Sequence, residues 1–488
     1  MIPNSDIDTP CAACQAMEKA RELPRTLMGG TTAMRAASGR YLPREPAETA
    51  QAYLDRLNRS VLFNAYRQAV RTLTGKVFSK PLVLDTPSPD IRTWCQDIDL
   101  AGRDLHNFAR DVLEDAFYGV SYILVDHPPR PQGLSLAQER QSGARPYFVH
   151  VPSASLIGFR TDRQNGAERL VQARILESAQ IPDGTYGDKT VSQVRVLELA
   201  PGEDGLERCV YTVWRQSPDD PGLWAVMPEL SGVMSLNFIP LVPVYTNRTG
   251  FMQGTPPLID LADLNAAHWR SSSDQETILH FTRVPLLFGK CLGPDAARLE
   301  IGPNRMIRCE APEAELKYVE HSGSSIAAGR QALMDLEDRM AALALEPLVP
   351  RTGSQTATAR AIDAAQAHCT LQAWALGLED ALKLALRYLG AWAGLPPKAC
   401  GQARLTTDYG LSLDPTELTQ LTQAYQAGLL SRQTVWSEMI RRGLLDDQFN
   451  PEEEEEKIRG AAPDPAGGND SPQTPPASAV FAARKAAP

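Results

Sequence analysis

The chain has 488 residues with 43% hydrophobic side chains, too long for one ordinary core and apolar enough to bury two or three structural regions. A net charge of −10 and a pI near 5.4 have the wrong sign for gripping a nucleic-acid backbone through counterion release. No run approaches about 18 consecutive apolar residues, and Met1-Ile-Pro-Asn-Ser-Asp6 has neither a basic nor an apolar leader character, so a soluble chain made in the cytoplasm, with no membrane partner, is expected.

Residues 1–40 read as an N-terminal arm with a flexible point at Met28-Gly-Gly-Thr31. The eight cysteines stand at 11, 14, 95, 209, 291, 309, 369 and 400, as expected of reduced thiols. Cys11-Ala-Ala-Cys14 alone has ligand spacing, and without a second pair the reading is two free thiols in a mobile segment rather than a zinc site. Glu45 to Gly75 reads as one amphipathic helix carrying Ala50, Tyr53, Leu57, Val61 or Leu62, Ala65, and Ala69 or Val70 at helical spacing. A second helix runs from about Gly102 to Phe117 and turns through Tyr118-Gly119 into a short strand, Ser121 to Val125. From Pro146 to Tyr245 the pattern is β: Tyr147-Phe-Val-His-Val, Leu170-Val-Gln-Ala-Arg-Ile-Leu, Ser192 to Leu199, Cys209 to Trp214 and Leu223-Trp-Ala-Val alternate or cluster apolar residues between turns. This predicts one antiparallel sheet inserted between helical regions.

Pro256 to Arg360 carries most of the functional information. A first helix of about 39 Å, residues 257–282, has the waist Ser271-Ser-Ser-Asp-Gln275, polar on every face, as in helices that bridge solvent or pack on partners. A second, Ser324 to Leu345, sets Ile326, Leu333, Leu336, Met340 and Leu343 on one seam. Between them lies a Pro/Gly-broken insert with strand-like Val284-Pro-Leu-Leu-Phe, a turn at Gly302-Pro-Asn and Arg305-Met-Ile-Arg-Cys. Glu346-Pro-Leu-Val-Pro350 stops the second helix, because proline lacks the N–H and disfavours helical geometry in the residue before it. After the loop Arg351-Thr-Gly-Ser-Gln355, a long helix of good helix formers runs from Thr356 to about Ala393. Asp414-Pro-Thr-Glu417 and Asn450-Pro-Glu-Glu open two further helices with capping signals, and Ala461 onward has the composition of a disordered tail.

Gly75-Lys76 is followed by Val77 and lacks the upstream glycine of a phosphate loop, and the sequence holds no Gly-x-Ser-x-Gly, His-Glu-x-x-His or Gly-x-Gly-x-x-Gly. His268, Asp263 and Ser271 form a grouping of the kind short polar residues on a polar helix produce by chance. His268 and His280 are twelve residues apart and do not stack as ligands. No enzyme activity, cofactor or metal is expected.

Helix, β insert, helix, loop and long helix, in this order and spacing, resemble the portal (connector) proteins of tailed bacteriophages. The likeness takes in Tyr41-Leu-Pro-Arg-Glu-Pro46, Gly75-Lys-Val-Phe-Ser-Lys-Pro81, Tyr118-Gly-Val-Ser-Tyr-Ile-Leu-Val-Asp126, Ile239-Pro-Leu-Val-Pro-Val-Tyr-Thr-Asn-Arg248 and Leu261-Ala-Asp-Leu-Asn-Ala-Ala-His-Trp269, and covers residues 31–460. It implies a mainly helical α+β portal fold. Its parts would be an arm at 1–40, a wing at 41–255 and 356–400, stem helices at 256–283 and 324–345, a clip at 284–323, a tunnel loop at 346–355, a helical crown at 401–460 and a tail at 461–488.

The same resemblance implies a homo-oligomeric, dodecameric ring at one capsid vertex of the virion. Double-stranded DNA would pass through it without sequence specificity during packaging and ejection, kept centred by an acidic wall. Implied partners are the terminase large subunit, a head-tail adaptor, and the major capsid and scaffolding proteins. In that family the tunnel loop faces the channel, which assigns Pro347, Leu348, Val349, Pro350, Arg351 and Thr352 to its lining, with Arg351 making transient phosphate contacts. Leu333, Leu336, Met340 and Leu343 would pack the stem. The rival reading is a head-tail adaptor or scaffold-type structural protein that assembles without conducting DNA.

Overall fold

Strand β2 (Val120–Asp126) divides the interior in two, because successive side chains of a strand leave on opposite faces. The structure is a computed structural model that describes residues 6–128, 144–202, 205–218, 220, 222–282, 286–290, 312–313, 315–319, 324–344, 357–405, 415–441, 445 and 449–460. All seven residues of β2 are buried. It pairs antiparallel with β3 (Tyr147–Val151) on one edge and β10 (Leu241–Tyr245) on the other.

From one face of this sheet Ile123, Val125, Phe148, Val242 and Val244 enter the larger core. That core is built with α4 (Ala65–Val77), α6 (Leu105–Ala116) and the 36-residue α9 (Ala357–Trp392). Asp104 starts α6 by accepting the Asn107 N–H, and Phe108, Val112 and Leu113 then fall on the buried side. From the other face Val120, Tyr122, Leu124 and Val151 meet Leu170, Ala173, Ile175 and Leu197 of a second sheet.

The second sheet runs β4-β5-β6-β7-β8: Leu156–Gln164, Ala167–Asp183, Gly187–Pro201, Glu207–Gln216 and Trp224–Val226, all neighbours antiparallel, with β9 (Gly232–Val233) also on β7. The protein is thus α+β, as expected. The single sheet expected over Pro146–Tyr245 is two, however. Tyr147–Val151 pairs with β2 instead of joining the larger one.

Three other expectations are corrected. The arm is folded where it is described: α1 (Ala12–Met28) buries Cys14, Met17, Arg21, Pro24 and Leu27 at helical spacing, and α2 (Gly30–Ala37) buries Met34. The expected flexible point is a fixed turn in which Gly30 has φ +74°, open to glycine at no steric cost. The single helix over Glu45–Gly75 is α3 (Ala50–Arg59) and α4, broken where Asn64 accepts the Arg67 N–H as a new N-cap. Residues 402–404, assigned to a crown, form β15 (Gln402–Arg404), which pairs with β1 (Val83–Asp85).

The chain divides into two compact units, Met1–Gly410 and Leu411–Pro488. The second comprises α10 (Pro415–Gln426), α11 (Arg432–Arg441) and α12 (Pro451–Gly460). Asn450 caps α12 by accepting the Glu452 N–H at 3.0 Å, as its sequence suggests. Asp414 and residues 461–488 lie outside the described residues.

Candidate functional site: a rooted helix pair

Leu261, Ala262, Ala266 and Trp269 sink the first half of α7 (Ile259–Thr282) into the body. Buried Asn265 fixes its rotation. Its Oδ1 accepts the Tyr66 N–H at 3.0 Å and its Nδ2 donates to the Phe63 carbonyl at 2.8 Å, so one side chain satisfies the backbone where α3 gives way to α4.

The polar waist was expected to need solvent or a partner chain. Much of it is satisfied within this chain instead. Ser273 is buried, with its hydroxyl 2.8 Å from that of Ser60. Gln275 is buried and donates to the Ile326 carbonyl of α8 (Ser324–Leu343) at 3.0 Å. Asp274 lies 3.9 Å from Arg56, whose Nε and Nη2 bind both carboxylate oxygens of Glu48 at 2.8 Å and whose Nη2 also donates to the Pro43 carbonyl. The two-pronged contact with Arg56 holds the Glu48 carboxyl below the usual range, whereas burial pushes those of Asp274 and Glu276 up.

Across the pair, His268 and Glu337 meet at 3.2 Å, and the His268 ring lies 5.2 Å from that of Phe63. Gly329 leaves room for the Gln275 side chain between the two helices: a Cβ there would collide with its carboxamide oxygen. The α8 seam is also shifted. Met340 and Ala344 are buried and Ile326, Leu333 and Leu336 half-buried, but Leu343 is 40% exposed. Within the single chain the seam steps from 340 by four residues to a small alanine, which leaves Leu343 outside it. Beyond the pair, β13 (Leu286–Lys290) and β14 (Glu315–Val319) form an antiparallel ribbon with Leu286 opposite Val319. The strand-like Val284–Phe288 of the sequence overlaps β13, and Arg305–Cys309 lies outside the described residues. The alternation Glu-Leu-Lys-Tyr-Val was the overlooked signal.

Pro347, Leu348, Val349, Pro350, Arg351 and Thr352 also fall outside the described residues. His268 has Glu337 as its partner, rather than the Asp263 and Ser271 grouped with it by sequence. A different trio does meet: Ser121 Oγ is 3.0 Å and Asp115 Oδ2 3.5 Å from His150 Nε2. Both contacts use one ring nitrogen and Ser121 is fully buried, whereas a nucleophilic relay needs both nitrogens and an accessible hydroxyl. The trio instead ties α6, β2 and β3 together, with Asp115 also accepting the Ser153 N–H. No group of three or more metal-ligating side chains occurs among the described residues, and no described helix is long and apolar enough to cross a membrane.

Residues 257–393, from the start of the helix pair to the end of α9, match a family model described as a domain of unknown function, DUF4055. No curated protein matches the chain. Among solved structures, the chain is similar at 13% identity and a TM-score of 0.39 to a chain in the neck of an empty GTA particle computed with C6 symmetry, with 78% of this chain and 89% of that one covered. The neck of a native GTA particle computed with C12 symmetry gives the same identity and TM-score over 82% and 96%.

Proposed function

We propose that this chain is the subunit of a phage-type portal, a ring through which double-stranded DNA is packaged and later ejected. The observation that carries the reading is the helix pair: α7 and α8 are rooted in the body by Asn265, Trp269 and Met340, and a two-stranded ribbon lies between them in sequence. In this reading α7 and α8 are the stem, the ribbon belongs to the clip, the larger sheet and α9 to the wing, and α10 to α12 to the crown. The 346–355 segment is the tunnel loop.

The ring is a homo-oligomer of twelve copies at one capsid vertex, closed by heterologous contacts around an axis. Terminase large subunit and head-tail adaptor bind its ends, and major capsid and scaffolding proteins surround it. Its action is mechanical and electrostatic: a net charge of −10 per copy repels phosphates, so the duplex slides rather than binds.

Negative-stain microscopy of the purified protein tests this directly. Rings with an axial hole are expected, and Leu336→Pro, which costs about 3 kcal/mol in every copy of α8, should abolish them. Monomers, or assemblies without a hole, would overturn the reading, the latter in favour of an adaptor or scaffold protein.

A further inference from the structure

The Cys11/Cys14 pair has a setting that neither the zinc reading nor the mobile-segment reading anticipates. Cys11 is the N-cap of the 17-residue α1, and Cys14 is the third residue of its first turn. The two residues thus sit one helical turn apart at the start of α1. The two thiols hydrogen-bond to each other, which sets their sulfurs side by side at the start of the helix.

The two sulfurs differ in what surrounds them. Cys14 is buried and belongs to the core that also holds Met17, Val120, Tyr122 and Met252. Cys11 is partly exposed, and its own N–H donates to the Ile157 carbonyl at 2.8 Å. The segment before it is held too: Arg174 donates to the carbonyls of Asp6, Ile7 and Thr9 at 2.8 to 2.9 Å. Cys11 is therefore the more accessible residue of the pair and Cys14 the shielded one.

We infer that Cys11 and Cys14 form a reversible dithiol–disulfide site, with Cys11 the attacking thiol and Cys14 the resolving one. The electrostatics agree in direction. Burial acts to raise the Cys11 thiol, but the amides of Cys14, Phe159 and Ala13 and the Cys14 thiol outweigh it and bring it below its ordinary value, while burial pushes Cys14 well above.

With oxidised glutathione as oxidant, the Cys11 thiolate attacks one sulfur, forming a mixed disulfide and expelling one glutathione thiolate, which takes up the proton Cys11 released. The Cys14 thiol then gives its proton to solvent and attacks the Cys11 sulfur, forming the Cys11–Cys14 bond and expelling the second glutathione, which is protonated in turn. The protein loses two electrons and two protons, and glutathione disulfide becomes two thiols. The site does not depend on the portal reading.

The test is a peptide map of the native full chain. The tryptic fragment 1–19 contains both cysteines and no other. After treatment with oxidised glutathione and alkylation, the wild-type fragment is expected two hydrogens lighter and unalkylated. In Cys14→Ser it should carry one glutathione on Cys11, and in Cys11→Ser none. A wild-type fragment alkylated at both cysteines would overturn the proposal without reliance on any variant. Glutathione on Cys14 in Cys11→Ser, as readily as on Cys11 in Cys14→Ser, would overturn the assignment of roles.

Discussion

His268 Nε2 donates to Glu337 Oε1 across 3.2 Å, joining α7 to α8 at the level where the pair leaves the body. A carboxylate only accepts, so the proton sits on Nε2, and the buried Nδ1 has no hydrogen-bond partner among the described residues. Phe63 covers the ring. Packing and hydrogen bond are thus combined in one side chain that is 5% exposed, against 45% for Glu337.

His268→Ala is expected to cost about 2–4 kcal/mol, the sum of a cavity beneath Phe63 and a lost hydrogen bond. Glu337→Ala should cost no more than about 1 kcal/mol, because its carboxylate keeps access to water. Chemical denaturation of the two variants and their double mutant checks both. A coupling energy near zero would mean that the two residues do not interact in solution.

Arg56 and Glu48 are the better-shielded ion pair of the root, 6% and 12% exposed. Arg56→Ala should destabilise by about 3 kcal/mol, because it strands a half-satisfied carboxylate beside the Asp274 charge. The pH dependence has a definite sign. The Glu48 carboxyl is held low by its hydrogen bonds to Arg56, so its contribution is complete above the unfolded value of about 4.3 and is lost as pH falls through the lower folded value. Glu48→Gln should flatten that acid limb in thermal melts taken from pH 6 down to about pH 3. An unchanged limb would assign the loss to other carboxylates.

Gly329 lies inside a helix, where alanine is ordinarily favoured by about 1 kcal/mol. Here the new methyl meets the end of Gln275, which must give up its bond to Ile326. Gly329→Ala is therefore expected to be neutral to mildly destabilising, whereas combined with Gln275→Ala it should regain the helix-propensity gain. Gly329→Leu exceeds the available space and should lower the melting temperature by several degrees. Stability at or above wild type for Gly329→Leu would show that the helices are not packed this closely.

How much of this was legible in sequence follows the range of the determining interactions. α6, β2, α7, α8 and α9 were readable because caps, prolines and periodicity act within a turn or two. The break between α3 and α4 was not, since Leu62 continues the helical spacing and Asn265, about 200 residues away, satisfies the exposed backbone. The waist was misread for the same reason: Ser273 and Gln275 look solvent-facing until Ser60 and Ile326 are brought to them. Glycines at 29 and 30 read as a flexible point in sequence, whereas Gly30 forms a defined turn at positive φ between α1 and α2. Leu343 fits the sequence seam by spacing alone, and within the chain Ala344 is the buried neighbour.

The last expectation concerns Arg351 and rests on the proposed function. If the segment between α8 and α9 lines a channel, twelve copies set a ring of arginines against an acidic background. Each contact with passing phosphates has to be weak, since tight binding in every copy would stall the duplex, and exposed ion pairs in salt are worth about 0–1 kcal/mol. Arg351→Glu should leave folding and ring formation unchanged, because position 351 falls in sequence between two helices whose roots are intact, yet it turns each attraction into repulsion. The expected result is normal rings and procapsids with packaged or retained DNA reduced several-fold, and a smaller reduction for Arg351→Gln. Loss of rings would make Arg351 an intersubunit residue, and unchanged packaging would remove it from the channel wall.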